Sequence, residues 1–401
     1  MAGYSEFPES EYENRYRRLI SLAAKDDIEA FIFTDEINLR YFAGGPLTDI
    51  WVCRNDFVVL ILPVDPSKAP ILLLNKARQG AARPSWIRDQ RYWMASIDAP
   101  EGNEALRLII EAMREAKIGE GKIAMEIGMY ETLFMPVLLF QEITSSFPRA
   151  QSVSAHDYVM QVQAVKSRHE ISALKTACAI STAALEKGFT SLKEGMTEID
   201  LTNEIKSEMF RLGAGSIPFL TVIAGWEGRS ICCDSHATGY EIKKGDVVQI
   251  DGGCSYKGYC ADMCRTGALG YVKNERYKEL YEASRGAQAA VRARLGAGKK
   301  IGEVCAAGRD FFISKGYGDL LVFGTGQTGH GIGLDLHQPP FLLYDSEEVL
   351  QEGMALAIEP AISERPNWDD SLYFTIVENN YIISANGHEQ LTNSDEGIRI
   401  V

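Results

Sequence analysis

The chain has 401 residues, 46% hydrophobic and 24% charged, an ordinary globular balance whose length points to two domains rather than one core. With 41 Lys+Arg against 55 Asp+Glu, the net charge of −14 argues against nucleic acid or an anionic membrane as a partner. The opening MAGYSEFPES lacks the basic-then-apolar order of a secretion signal, and the longest apolar run, residues 57–64, falls far short of the roughly 20 residues of a membrane span. A soluble, cytoplasmic protein is expected.

Over the first ~155 residues, short β-rich runs alternate with helical stretches. The segments 29–35, 57–63, 70–74 and 122–127 read as strands. Between the last two, Leu106, Ile109, Ile110 and Met113 recur at helical spacing, which predicts a helix over 103–117. Strands alternating with helices define an α/β layer. A boundary near residue 160 follows, marked by a helix start. Ser167 and Glu170 are spaced as a capping box, and Ile171, Leu174, Cys178 and Leu185 continue one face. A second box, Thr197 with Asp200, opens a helix containing Leu201, Ile205 and Met209. A third helix begins after Asn274 and is expected to stop near Gly296. Strands are predicted at 219–224, 247–251, 259–269, 354–359 and 372–384, so the second domain reads as α+β.

Eight cysteines include no C-x-x-C pair. Cys254, Cys260 and Cys264 surround Asp262, but their spacing fits no common zinc finger, so buried reduced thiols are expected. The vicinal pair Cys232 and Cys233 reads as strand packing. This set suits a reducing cytoplasm.

The chemistry is carried by acids in apolar surroundings. Asp251 ends the run VVQI, and Asp262 follows eleven positions later across the Gly-rich stretch GGCSYKGYC. Two antiparallel strands joined by such a bend can bring both carboxylates to one place. Glu359 ends MALAI, and Glu378 is expected mid-strand in YFTIVENNYIIS. A carboxylate buried in an apolar strand costs several kcal/mol unless it is paired or binds metal. His330 sits in GTGQTGHGIG, where glycines allow close backbone approach. Any one of these residues alone reads as a cap, turn or ion-pair residue; it is the ordered set that suggests more. Four carboxylates and one imidazole suit a pair of Mn, Co, Fe or Zn ions sharing carboxylates and a hydroxide of lowered pKa. The stretch Gly324 to Gly329 also satisfies G-x-G-x-x-G, but it runs into HGIG late in the chain, which favours a loop presenting His330 over a dinucleotide site. Trp368 reads equally as a substrate-facing or an incidental loop aromatic, and Arg265 as a structural partner of nearby carboxylates.

The order of Asp251, Asp262, the stretch GHGIGLDLH, then IEP and a final Glu resembles the pita-bread metallopeptidases. These include Xaa-Pro aminopeptidases, prolidases, methionine aminopeptidases and creatinases. The opening EYENRYRRL with IEAFIFTDEINLRYFAGG is similar to the creatinase/prolidase N-terminal domain, and VKSRHEISALKTA, KKGDVVQIDGG and DMCRTG are similar to the catalytic domain. The resemblance implies an α/β N-terminal domain over 1–157 and an α+β pita-bread catalytic domain over 160–401. It further implies that Asp251 holds one metal, that Asp262 and Glu378 bridge both, and that His330 and Glu359 hold the other. Manganese ranks first among the candidate ions. His236 matches a substrate-facing histidine, His337 one that steadies the tetrahedral intermediate or moves a proton, and Glu359 also assists the bridging water.

Three positions depart from the Xaa-Pro peptidase pattern. Gln338 stands where Glu is usual, Ala361 where Gly is usual, and Ile376 where Arg is usual. No metal ligand is missing. The expected activity is hydrolysis of a small amide or an Xaa-Pro-type peptide bond, by an aminopeptidase or a dipeptidase, in a homodimer. The departures leave two rivals: a creatinase-like hydrolase or lyase acting on a small zwitterion, and an inactive pita-bread binding module.

Overall fold

The computed structural model describes residues 5–45, 47, 57–94, 102–225, 236–322, 327–366 and 373–401. Cys53, Cys232, Cys233, Trp368 and the glycines at 324 and 326 lie outside the described residues, and so do the readings placed on them. The chain divides into two compact units, Met1–Gln163 and Ala164–Val401.

The first unit runs α1 (Glu9–Ala23), β1 (Ile28–Phe33), α2 (Glu36–Ala43), β2 (Val58–Pro63), β3 (Ile71–Asn75), α3 (Gln79–Ala82), β4 (Asp89–Trp93), α4 (Gly102–Glu115), β5 (Lys122–Met125), α5 (Val137–Ser145), β6 (Gln151–Ser154) and α6 (His156–Ala164). Its single mixed sheet has the order β4-β3-β2-β1-β5-β6, with β2 antiparallel to both neighbours. Both faces of β1 are covered. Ala30 and Ile32 join Ile109, Ala112 and Met113 of α4 on one side, while the ring of Phe33 stacks on Phe42 of α2 at 5.1 Å on the other. This two-sided burial is why these strands read as unbroken apolar runs. The polar β6, an edge strand, gave no such signal. Helix α6 carries this unit past the boundary expected near 160. The Val162 carbonyl accepts from Arg18 and Tyr41, and Gln163 donates to Asn38.

In the second unit both capping boxes form, at the N-termini of α7 (Arg168–Ser191) and α8 (Glu198–Arg211). There follow β7 (Ser216–Gly225), β8 (Val247–Tyr256), β9 (Tyr259–Cys260), β10 (Met263–Ala268), α9 (Glu275–Arg292), α10 (Ile301–Ser314), β11 (Gly329–Gly331), β12 (Ala355–Ile358), β13 (Ala361–Ser363), β14 (Phe374–Ile376), β15 (Asn379–Ser384), β16 (Gly387–Gln390) and β17 (Arg399–Ile400). One sheet has the order β17-β10-β8-β7 with β9 on β8; a second is β11-β12-β15-β16; β13 pairs with β14. Helix α9 stops at Arg292, short of Gly296. Helix α10, unread in the sequence, carries Gly302 and Gly308, which weaken its helical signal.

Two expected strands are broken where the chemistry lies. The segment 259–269 splits into β9 and β10, leaving Ala261 and Asp262 between them. The segment 372–384 splits into β14 and β15, which belong to different sheets, so Glu378 sits at their junction and not mid-strand.

Candidate metal centre

Asp251 occupies a central position of β8, buried and directly opposite Cys264 of β10. The β8–β9 hairpin turns through Lys257 (φ 50°) and Gly258 (φ 79°), the two left-handed residues of a two-residue turn between paired Tyr256 and Tyr259. The returning chain places Asp262 two residues before Cys264, on the same face as Asp251. Gly253 makes this approach possible, since a Cβ there would lie 2.3 Å from the Ala261 carbonyl oxygen. Asn380 fixes the main chain at this point, its Oδ1 accepting the Asp262 N–H at 2.9 Å and the Cys178 thiol at 3.3 Å.

The second set of donors comes from the other sheet. His330 is the central residue of β11 and pairs with Ala357 of β12, which delivers Glu359 just past its end. Gly329 allows that pairing: with φ 152°, a Cβ there would meet the Ala357 carbonyl oxygen at 2.0 Å. Glu378 is carried between the sheets. Its carbonyl accepts from Arg265 Nη1, which also bonds the Cys264 carbonyl at 2.8 Å; Nη2 donates to Asn379 Oδ1 and the Thr392 carbonyl, and Nε to Ser394 Oγ. These partners correct the expectation for Arg265. It ties main chain and amides together instead of pairing with carboxylates.

The five predicted donors converge. Ligand atoms of Asp251, Asp262 and Glu378 lie within 4.8 Å of one another, as do those of His330, Glu359 and Glu378, and those of Asp262, His330 and His337. Glu378 belongs to the first two groups, and Asp262 to the first and third. His330 Nε2 lies 3.6 Å from Glu359 Oε1 and 3.8 Å from Asp262 Oδ2. The largely exposed His337 places Nε2 4.0 Å from Asp262 Oδ2, with its ring edge-on to His330 at 4.3 Å. His236 lies exposed in the segment leading to β8 and belongs to none of these groups.

The electrostatics show what this cluster lacks. Burial, and then the neighbouring Asp251 and Glu359, push the Asp262 carboxyl well above the usual range. Burial and the charges of Asp262, Glu359 and Asp251 do the same to Glu378. Asp262 Oδ1 and Glu378 Oε1 are buried and accept no hydrogen bond from any described residue. Burial and the nearby His337 lower His330 to about 3, so its imidazole is neutral. Its Nδ1 lies 3.0 Å from the Gly331 carbonyl, which can only accept. The proton is therefore on Nδ1, and the Nε2 lone pair faces two carboxylates. Lone pairs and orphaned carboxylate oxygens converging on one buried point fit divalent cations, with hard oxygen donors and one imidazole. No thiol joins these groups. Cys178, Cys254, Cys260, Cys264 and Cys305 are buried thiols, and burial raises Cys178, Cys254, Cys264 and Cys305.

Two of the three departures prove to be one feature. Ala361 and Ile376 are direct cross-strand partners on β13 and β14, packed with Cys264, Val322 and Phe374. Each is two residues from a cluster carboxylate, Ala361 from Glu359 and Ile376 from Glu378. The side chain of Gln338 is buried, and its Nε2 has no hydrogen-bond partner among the described residues. The sequence reading missed Asn380 and the true partners of Arg265. Their only sequence signal was two consecutive asparagines entering the apolar run YIIS.

Two sheets of mainly antiparallel strands converging on such a donor cluster define a metallohydrolase. The chain belongs to metallopeptidase family M24: residues 172–400 match Metallopeptidase family M24, and residues 15–165 match the Creatinase/Prolidase N-terminal domain. It is 33% identical over 252 residues to an uncharacterized peptidase of Bacillus subtilis, covering 63% of this chain and 69% of the relative. Over 385 residues it is 28% identical to the Xaa-Pro dipeptidase of Pyrococcus horikoshii, covering 95% and 97% of the two chains. In three dimensions it is similar to the Xaa-Pro dipeptidase from Bacillus anthracis (TM-score 0.80, 26% identity, covering 97% of this chain and 100% of that one). It also shares its fold with a prolidase from Thermococcus sibiricus (TM-score 0.83, 23% identity, 97% and 99% covered). No helix among the described residues is long and apolar enough to cross a membrane.

Proposed function

We propose that this metallopeptidase hydrolyses the bond preceding proline in a short peptide, using two divalent ions held by Asp251, Asp262, His330, Glu359 and Glu378. The observation that carries the reading is Glu378, shared by an aspartate-rich triad and a histidine-containing one. On this reading Asp251 would hold one ion and His330 with Glu359 the other, and Asp262 and Glu378, each a member of two donor groups, would contribute to both. The relatives suggest the substrate class: those of Pyrococcus furiosus and Pyrococcus horikoshii are Xaa-Pro dipeptidases.

Two such ions would polarise a carbonyl and lower the pKa of a water molecule. The chain's own groups divide the remaining work. Glu359, the least buried of the four carboxylates, would take the proton of the attacking water. His337 is largely exposed beside Asp262, and its imidazole would donate to a developing oxyanion. His236, exposed in the segment leading to β8, would face the substrate. The His330 tautomer, fixed by Gly331, keeps Nε2 unprotonated for binding.

Manganese is the ion this donor set favours, because its ligands are oxygens and one imidazole with no thiolate. The buried thiols suit a reducing cytoplasm. Met129, Tyr130, Val137 and Leu138 expose apolar surface on the first unit, which suits a homodimer contact. The buried apolar pair Ala361–Ile376 favours a second reading, a small non-peptide amide as substrate, since it replaces the glycine and arginine usual in the peptidases.

The test is metal content by mass spectrometry, with and without Asp262→Ala, alongside Xaa-Pro dipeptides and Xaa-Pro tripeptides as substrates with Mn and Co. About two equivalents in the wild type, lost in the variant, with turnover of either substrate, is the expected result. A protein that binds no metal after reconstitution would refute the assignment.

A further inference from the structure

Glu198 is the first residue of α8, inside the Thr197–Asp200 capping box, yet it takes no part in the cap and is fully buried. Its Oε1 accepts the Ala224 N–H at 2.8 Å. Its Oε2 accepts both the Thr238 N–H at 2.8 Å and the Thr238 hydroxyl at 2.7 Å. Ala224 is the penultimate residue of β7, and Thr238 follows His236 by two positions. One carboxylate therefore clamps the two stems between which His236 lies.

The outgoing stem is also laid along the start of α8. Ile199 N–H donates to the Thr238 carbonyl at 3.2 Å, Glu198 N–H to Tyr240 at 3.2 Å, and Ile242 N–H to Met196 at 2.9 Å. Side chains hold the same stretch: the Tyr240 hydroxyl donates to Asp246, and Ile242 is buried in the core. The Glu198 side chain adds the link to β7, the strand whose Thr221 pairs with Asp251. Through it the residue two positions after His236 is tied to the neighbour of the strand carrying Asp251.

We infer that Glu198 is a positioning residue, which acts on catalysis by tying Ala224 to Thr238 and so fixing where His236 stands relative to the metal centre. This rests on His236 facing the substrate, as proposed above. Glutamine at 198 can accept from only one stem, because its amide NH2 cannot accept the N–H of the other. A released stem leaves His236 free to move, and a catalytic group misplaced by about 1 Å can cost on the order of 100-fold in rate.

The experiment is a double-mutant cycle on the metal-loaded, full-length enzyme, with His236→Ala, Glu198→Gln and the pair, reading kcat, KM and metal content separately. His236→Ala should lower kcat by about 100-fold or more. Glu198→Gln should lower kcat about 10-fold, with KM changed less than about twofold and metal content unchanged. In the His236→Ala background, Glu198→Gln should then cost less than about twofold. Thr238→Val, which removes one of the three donors, is the milder variant should Glu198→Gln not fold; it should lower kcat about two- to fivefold. Fully additive effects, or Glu198→Gln and Thr238→Val both at wild-type kcat, would overturn the inference while leaving His236 in its role. Wild-type activity in His236→Ala would instead remove the role of His236 itself, and the inference with it.

Discussion

Asp262→Asn should have opposite effects on the metal-free and metal-loaded protein. Ligand atoms of Asp251, Asp262 and Glu378 lie within 4.8 Å of one another, and at an effective dielectric constant near 20 each ionised pair at that separation costs about 3.5 kcal/mol. Without a cation the cluster must retain protons, which is the raised affinity seen at Asp262 and Glu378. Protonation already relieves part of the repulsion, so removing one charge should stabilise the metal-free protein by only about 1–2 kcal/mol. The isosteric Asn keeps the main-chain bond to Asn380. For the wild type, Mn at about 100 times its Kd should add about 2.7 kcal/mol per site, a rise of roughly 5–10 °C in melting temperature for a unit of this size. Asp262→Asn should lose most of that rise. Thermal melts of chelator-treated and Mn-loaded protein, wild type and variant, read both effects. A variant that melts lower than wild type when metal-free, yet keeps the full Mn response, would refute the electrostatic reasoning.

Further predictions concern the supports of the site and the first unit. Arg265→Lys cannot reproduce five hydrogen bonds to Cys264, Glu378, Asn379, Thr392 and Ser394, and should cost about 2–4 kcal/mol in chemical denaturation and about 10- to 100-fold in metal affinity by titration calorimetry. Equal metal affinity in the two proteins would argue against a positioning role. Gly329→Ala places a Cβ 2.0 Å from the Ala357 carbonyl oxygen, so β11 must leave β12; a loss of about 3 kcal/mol or more, with metal binding impaired, is expected, and a well-folded variant with full metal content would contradict it. In the first unit, burial raises Glu126 to about 7 although Thr34, Asp35 and Asn38 all donate to it. Because the folded state holds this proton more tightly than the unfolded one, the contribution is complete below about pH 4.5 and is lost as pH rises through about 7. Glu126→Gln should flatten that fall in denaturation midpoints between pH 5 and pH 7.5; an unchanged slope would exclude Glu126 as its source.

Local sequence determined which residues could carry the chemistry. An acid in the run VVQID or MALAIE has no apolar partner that offsets its desolvation, so its burial calls for a cation or a proton wherever the strand lies. Capping boxes at Ser167 and Thr197 are equally local, since both partners lie within one turn, and both helices start where they indicate. The alternation of strands and helices likewise disclosed the α/β layer of the first unit.

Only the tertiary structure decided how those groups meet. Ile376 to Asn380 hold no glycine or proline to mark a break, yet the chain there leaves β14 for a different sheet, because β15 finds its partners in β12 and β16. Side-chain periodicity reports which face a residue takes within one strand; it carries no information about which sheet that strand joins. The sharing of Glu378 between two triads, the amide and carbonyl partners of Arg265, and the contact between Ala361 and Ile376 all join residues far apart in the chain. The same holds for Glu198, whose sequence context shows a helix cap while its carboxylate joins the end of β7 at Ala224 to Thr238, a loop residue 14 positions later. Pairings of that kind are set by packing between sheets and helices, and they exist only once the unit has folded.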